Sequence, residues 1–296
     1  MASKTWVWVV IAVAVGAGVL IAAAFMGFAR VSLTPYVALI ELNGVIGYSK
    51  SFLTGAAIIP DDVDYLVDTV MNDPMARAVV ISISSPGGSA AASEEIYLRI
   101  KELSRVKPVV VYCREVMASG GYYISLPARK IVASPHCIVG SVGAIAVVYD
   151  VKGLMERLGI NVTIIKSGRF KDIGSYFRGL TREEYEMLYR IVNETAGVFR
   201  DRVIESRGSV SSEVFKAGIY SAKDAVKLGL IDAVGSIDDA ADMARDLAGL
   251  PSTAPLIRVE KPKSLIEALL EGLSTPLKPL KATYLEPGVY YLWLPG

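Results

Sequence analysis

Hydrophobic and polar positions divide this chain into one long uncharged run followed by alternating strand and helix patterns. Residues 6–28, "WVWVVIAVAVGAGVLIAAAFMGF", carry no charge and are long enough to cross a bilayer's hydrocarbon core as a helix. Trp6 and Trp8 stand where interfacial aromatics belong. A cleavable signal peptide is the alternative, but its apolar region runs to only about 7–15 residues, so length favours a retained anchor. Lys4 before the run and Arg30 after it nearly balance, which leaves the orientation open on charge alone.

Beyond the anchor, "YVALIELNGVI" (36–46) predicts a strand, and "DDVDYLVDTVMND" (61–73) a helix with Val63, Leu66, Val70 and Met71 on one face. "RAVVISISS" (77–85) predicts a buried strand closed by Pro86-Gly87-Gly88, then a helix over 89–104 with Ser89 as its cap. Strands are expected over 107–113, 130–134, 143–149 and 161–166, with a short helix over 151–159 between the last two. A long helix is expected over 181–207, and the 220–247 segment reads as helix, short strand and helix. Strands alternating with helices predict an α/β domain with crossover connections and a mostly parallel sheet. Past residue 250 the pattern changes. Seven prolines fall between Pro251 and Pro295, around a short apolar-periodic stretch at 264–273. The expected organisation is an anchor over 1–30, an α/β domain over 31–248 and a proline-rich extension over 249–296 that packs on its own domain or on a neighbouring subunit.

Composition changes this picture little. The chain has 31 Lys and Arg against 30 Asp and Glu and no strongly basic run, which argues against a nucleic-acid partner. A mean hydropathy of +0.43 is high, and much of it sits in the uncharged run. Cys113 and Cys137 lack metal-ligand spacing. Each reads as a buried thiol bordering a strand, with a disulfide as the alternative if the domain faces an oxidising compartment. Asn161 and Asn193 open short glycosylation-type triplets. With no metal or nucleotide motif, no cofactor is expected.

The chemistry centres on "VMASGGYYIS", where Ser119 precedes two glycines at a strand-to-helix turn. Gly120 and Gly121 allow close backbone approach, and N–H groups at such a turn suit an anion. Gly87 and Gly88 repeat the arrangement after the second long strand, so donors from both turns can converge on a developing oxyanion. A serine nucleophile needs a base. His136, the one histidine, lies beside Pro135 with no carboxylate near in sequence to orient it, so a triad is disfavoured. A lysine kept neutral by burial is the alternative. Lys130, Lys152, Lys166 and Lys171 are the candidates; Lys171, in the glycine-flanked "KSGRFKDIGSYF", has the better setting.

"ISISSPGGS", "VMASGGYYIS", "IVGSVGAI" and "KSGRFKDIGS", in that order, together with "YSAKDAVKLGLID", resemble the signal peptide peptidase A family of membrane-bound serine proteases over residues 36–247. The resemblance implies a ClpP/crotonase-like fold of stacked βαβ units. It implies Ser119 as nucleophile, Lys171 as general base and Ser141 orienting the lysine, with an oxyanion hole from the N–H groups of Gly87 or Gly88 and Gly120. Two positions depart from the family pattern. Ser84 stands where Asn is common, which alters a turn, and Tyr176 stands where proline is common, in the loop carrying Lys171. The resemblance further implies a homo-oligomeric ring whose serine and lysine meet across subunits, an amino terminus inside the cell, and a catalytic domain outside it. The function expected is a membrane-anchored endopeptidase acting on remnant signal peptides or other apolar peptides. Three alternatives stand beside it: a regulatory protease that cuts one partner such as a stomatin-like protein, a crotonase-like acyl-CoA enzyme, and an inactive peptide-binding scaffold. Ser119, Ser141 and Lys171 together argue against the last two.

Overall fold

The computed structural model describes residues 34–49, 56–262 and 289–292; the 6–28 run and the 264–273 stretch lie outside the described residues. β1 (Tyr36–Asn43), β2 (Val45–Ile46) and β3 (Ala56–Ile58) precede α1 (Pro60–Asn72), β4 (Ala76–Ser85) and β5 (Gly87–Ser89). Next come α2 (Ala90–Val106), β6 (Val109–Ala118), α3 (Gly120–Tyr123), β7 (Lys130–Ala133), β8 (Ile138–Gly140) and β9 (Ile145–Ala146). α4 (Lys152–Arg157) and the long α5 (Arg182–Arg207) lead to β10 (Ile219–Ser221), α6 (Ala222–Lys227) and β11 (Ala233–Val234). α7 (Ile237–Ala248), β12 (Leu256–Arg258) and β13 (Val289–Leu292) complete the described elements.

The main sheet runs β10-β8-β6-β4-β1-β12, with β7 on β6 and β11 on β7. Every pairing in it is parallel except that of β10 with β8. Parallel sheets are normally covered on both faces, and the residues of β1 and β4 show why this one is. Ala38, Ile40 and Leu42 with Val79, Ile81 and Ile83 share one core with α1 and α2. Val37 and Leu39 with Ala78 and Val80 face the alanines Ala240, Ala241 and Ala244 of α7, whose small side chains let that helix lie close to the strands. The second sheet, β3-β2-β5-β13-β9, is built from short strands around Pro86-Gly87-Gly88.

Local chemistry sets several boundaries. Gly44, at φ 104°, breaks the expected 36–46 strand into β1 and β2, and β2 turns away to join the second sheet. Ser89 caps α2, its Oγ accepting from the Ala92 N–H at 3.4 Å. Thr181 and Glu184 form a reciprocal capping box at the start of α5. The strand expected over 107–113 continues to Ala118, because β6 exchanges β7 for β8 as its neighbour halfway along. The strand expected over 143–149 shrinks to β9. The one expected over 161–166 does not form: Val162, Ile164 and Ile165 are exposed, Ile165 at 95%, and no strand among the described residues pairs with them. Cys113 and Cys137 are joined as a disulfide with Cα atoms 6.2 Å apart, so they are not the free thiols expected first. The bond ties β6 to the turn that precedes β8.

Candidate active site

β6 delivers Ser119 to the end of the main sheet. The residue opens α3 at φ 53° and ψ −121°, a conformation an L-residue adopts at a cost of about 1–3 kcal/mol. Three contacts hold it there. Its N–H donates to the Gly140 carbonyl at 2.8 Å, its own carbonyl accepts from the Tyr123 N–H at 2.9 Å, and β6 and β8 pair up to Ala118 and Gly140. The hydroxyl is the group left over. Ser119 is 1% exposed, and its Oγ has no hydrogen-bond partner among the described residues. A buried hydroxyl without a partner forfeits about 1–3 kcal/mol, a cost consistent with a group reserved for chemistry.

The two glycine turns meet here. A Cβ on Gly120 would sit 2.6 Å from Ser93 Oγ, 3.2 Å from Gly87 Cα and 3.2 Å from Gly88 N. A Cβ on Gly121 would lie 2.5 Å from the Ser85 carbonyl oxygen. The turn after β4 and the turn after β6 therefore touch backbone to backbone, a closeness only glycine permits. Gly87 N–H donates to Ser85 Oγ at 3.1 Å, so an anion seeking that donor must displace the hydroxyl. Ser141 lies just past β8, buried and at φ 55°, with its N–H donating to the Gly218 carbonyl at 2.7 Å. Ser119 and Ser141 thus sit at the ends of neighbouring parallel strands, both in positive-φ backbone.

Lysine is placed differently. Lys171 lies in a run of tight turns, exposed, with its N–H donating to the Gly168 carbonyl at 3.1 Å. It makes no hydrogen bond to Ser119 or Ser141 within the chain. The other candidates are engaged. Lys166 Nζ contacts Asp172 Oδ1 at 2.6 Å, Lys130 pairs with Asp232 at 3.4 Å and Lys152 with Glu156 at 3.7 Å. Each of those three amines is paired with a carboxylate, whereas Lys171 has no carboxylate partner among the described residues. His136 is exposed on the turn before β8, four residues upstream of Gly140, whose carbonyl accepts from the Ser119 N–H.

Two groups of residues around the site gave no signal in the sequence. Tyr122 donates its hydroxyl to the Leu230 carbonyl at 2.8 Å, and Tyr123 donates to Glu94, which also accepts from Arg202 Nη2 at 2.7 Å. The Tyr123 ring meets Phe199 edge-on, with centroids 4.9 Å apart, so α3 is anchored to α2 and α5. The second group latches the lysine loop. Arg178 bridges Asp172, through Nε at 2.7 Å and Nη2 at 2.8 Å, and Glu184, through Nη1 at 2.7 Å. Its guanidinium, followed by Lys166, holds the Asp172 carboxyl well below the usual range. Arg178 and the Thr181 N–H hold Glu184 down to about 2.

β13 crosses this region as a strand. It pairs antiparallel with β5 on one side (Tyr290 with Ser89, Tyr291 with Gly88, Leu292 with Gly87) and with β9 on the other (Val289 with Ala146, Tyr290 with Ile145). It also lies against α3, the helix that Ser119 opens.

The chain is similar to named proteases. A Methanocaldococcus jannaschii protein named as a protease is 43% identical over 62% of this chain and 60% of its own length. Serine protease SPPA, chloroplastic, of Arabidopsis thaliana is 32% identical over 81% of this chain and 36% of its own length. This chain therefore spans less than two thirds of either relative. Among solved structures, a mutant of the 1510-N membrane-bound stomatin-specific protease bound to a substrate peptide matches at 17% identity and a TM-score of 0.46, covering 82% of this chain and 99% of that one. The pattern of peptidase family S49 matches residues 101–251, half of the chain and the stretch that holds Ser119, Ser141 and Lys171. The chain belongs to peptidase family S49.

Proposed function

We propose that this chain is a serine endopeptidase in which Ser119 is the nucleophile and Lys171 the general base. The observation that carries the reading is the buried Ser119 hydroxyl, without a partner and on strained backbone, at the meeting point of two glycine turns. In the reaction the neutral lysine takes the hydroxyl proton as Oγ attacks the scissile carbonyl. Backbone N–H groups of Gly87 or Gly88 and of Gly120 meet the oxyanion. The leaving amine takes the proton, and water then releases the acyl group from Ser119.

Within one chain Lys171 is exposed and does not touch Ser119, which supports a base supplied by a second copy. Leu154, Leu158, Ile160, Val162, Ile164 and Ile165 are exposed just before the lysine loop and form the kind of apolar surface a subunit contact covers. Ser141, one residue past the strand that pairs with the end of β6, is assigned the role of orienting the incoming amine. The uncharged 6–28 run fits a single-pass anchor with the protease domain outside the cell, close to remnant signal peptides and other apolar segments.

A fluorophosphonate probe tests the nucleophile, and a mixture tests the sharing. The wild type is expected to label and to cleave a signal-like peptide. Ser119→Ala and Lys171→Ala are each expected to be inactive, and His136→Ala unchanged. Refolding Ser119→Ala with Lys171→Ala is expected to restore cleavage, because some sites then take serine from one copy and lysine from the other. A Ser119→Ala protein that still cleaves the peptide overturns the serine mechanism, and a mixture without activity overturns the shared site.

A further inference from the structure

The parallel strands β1, β4, β6, β7 and β12 all begin at one end of the main sheet. The chain reaches that end from the uncharged run: seven residues lie between Phe28 and Tyr36, and even fully extended they span at most about 28 Å. Backbone bonds lace the rim together. Tyr36 N–H donates to the Met75 carbonyl, Val37 N–H to Pro255 and Arg129 N–H to Val109. Its charge is one-sided. Arg77 near the start of β4, Arg105 in the last turn of α2 and Arg129 just before β7 are exposed, and none has a carboxylate partner among the described residues. Because β4, β6 and β7 are adjacent, the three surround the entry of β6, where Lys107 Nζ donates to the Val70 and Asp73 carbonyls at 2.5 and 2.7 Å. The nearby carboxylates are already engaged. Asp73 accepts from the Tyr36 hydroxyl at 2.7 Å, and Asp232 pairs with Arg207 at 2.9 Å and Lys130 at 3.4 Å. Asp246, on the last turn of α7, is the exposed carboxylate set against the three arginines. Val106, 60% exposed, stands between Arg105 and Lys107.

We infer that this rim is a docking surface for anionic lipid headgroups, lying against the bilayer that the 6–28 run enters. Arginine meets phosphate through two N–H groups at once, and a membrane rich in anionic lipid attracts each nearby cation. Three arginines spread over neighbouring strand entries match a charged plane rather than a single phosphate. The short reach from Phe28 keeps that plane within their range. Docking also sets the height of the chemistry. Ser119 follows the last residue of β6, a ten-residue strand, so it lies about 30 Å from the rim. The domain then stands with its nucleophile turned away from the bilayer. It takes peptide tails that extend clear of the surface, and a bond still inside the headgroup layer is out of reach. The docking surface rests on the anchor reading of residues 6–28, and the limit on reach rests on the peptidase reading as well.

The test uses the full chain in vesicles of phosphatidylcholine, alone or with about 30% phosphatidylglycerol to supply negative charge. A polarity-sensitive dye is attached at Val106→Cys and, in a second protein, at Asn43→Cys, an exposed position at the far end of β1. The Val106 dye is expected to shift to the blue with phosphatidylglycerol only, and to return in high salt, while the Asn43 dye stays unchanged. Replacing Arg77, Arg105 and Arg129 together by glutamine should lower the ratio of docked to undocked protein roughly 100-fold, at about 5-fold for each arginine. Salt reversal in the wild type decides the matter if the triple variant unfolds. A peptide tied to lipid through about 20 residues should be cleaved and one tied through about four should not, since extended chain covers about 3.3 Å per residue. A Val106 dye that ignores phosphatidylglycerol overturns the proposal, as does an Asn43 dye that responds in its place or a triple variant that docks like the wild type. So does the same shift in lipid-free detergent growing with protein concentration, which would mean that a second copy covers the rim. Equal cleavage of both tethered peptides overturns the upright placement. Flotation with phosphatidylcholine vesicles reads the anchor separately: a chain left behind sinks that reading, and the Val106 response to phosphatidylglycerol still decides the rim. Docking as expected in a protein that cleaves neither tethered peptide would sink the peptidase reading and leave the lipid surface standing.

Discussion

Ser119 is held in a conformation that its side chain makes costly, and this separates two substitutions that both remove the nucleophile. Glycine adopts φ 53° and ψ −121° with little strain, whereas alanine keeps the penalty. After allowing for glycine's greater freedom in the unfolded chain, Ser119→Gly should be more stable than Ser119→Ala by about 1 kcal/mol in urea titrations. Equal midpoints would mean that the turn is not strained. Gly120 offers the complementary test. A Cβ there meets Ser93 Oγ at 2.6 Å and the backbone of Gly87 and Gly88 at 3.2 Å, so Gly120→Ala must push the two turns apart. Displacing one oxyanion donor costs about two to three orders of magnitude in rate, and probe labelling should fall on that scale. Adding Ser93→Ala removes the closest of these contacts and should restore part of the labelling; a double variant no better than Gly120→Ala would place the defect in the backbone alone. Much of this was legible in the sequence, since a serine before paired glycines already marks a tight turn. The companion glycines could be proposed as partners from their like setting at a strand end, but their actual contact depends on β4 and β6 being neighbours. Glu94 and Arg202 gave no signal, because an ion pair 108 residues apart exists only once the helices are packed.

Among the elements, the loop carrying Lys171 is fastened to α5 through Asp172, Arg178 and Glu184. Both carboxyls bind protons less readily in the folded chain than in the unfolded one. Their contribution to stability is therefore complete above the ordinary carboxylate range and is lost as the pH falls through the folded values, about 2 for Glu184 against an ordinary 4.5. Arg178→Met should accordingly be less stable than the wild type at neutral pH, with a deficit that shrinks between about pH 4.5 and pH 2. Thermal unfolding across that range measures it; a deficit constant with pH would mean that Arg178 acts by packing rather than by charge. The helices and the strands β1, β4, β6 and β7 followed from periodicity, because the residues that define them face their own core, whereas β8, β10 and β12, three residues each, are too short to carry a pattern. The expected 161–166 strand failed for the opposite reason: its apolar residues have no partner strand among the described residues, and apolar character alone does not supply one.

For the whole molecule, that same apolar run is where a prediction about assembly belongs. Ile165 is 95% exposed, so a charge there costs the isolated domain almost nothing. Ile165→Glu should leave the chain folded, with unchanged circular dichroism, yet shift sedimentation towards the single chain and abolish peptide cleavage. Unaltered sedimentation would mean that this surface makes no subunit contact. The burial of Ser119 has a kinetic side as well. With 1% of the residue exposed, no reagent reaches the hydroxyl until something in the fold moves aside. The observed labelling rate should therefore rise with probe concentration and then level off, and the plateau is the opening rate of the site itself. Inactivation kinetics thus become a clock for an internal motion, independent of how fast the enzyme turns over any substrate.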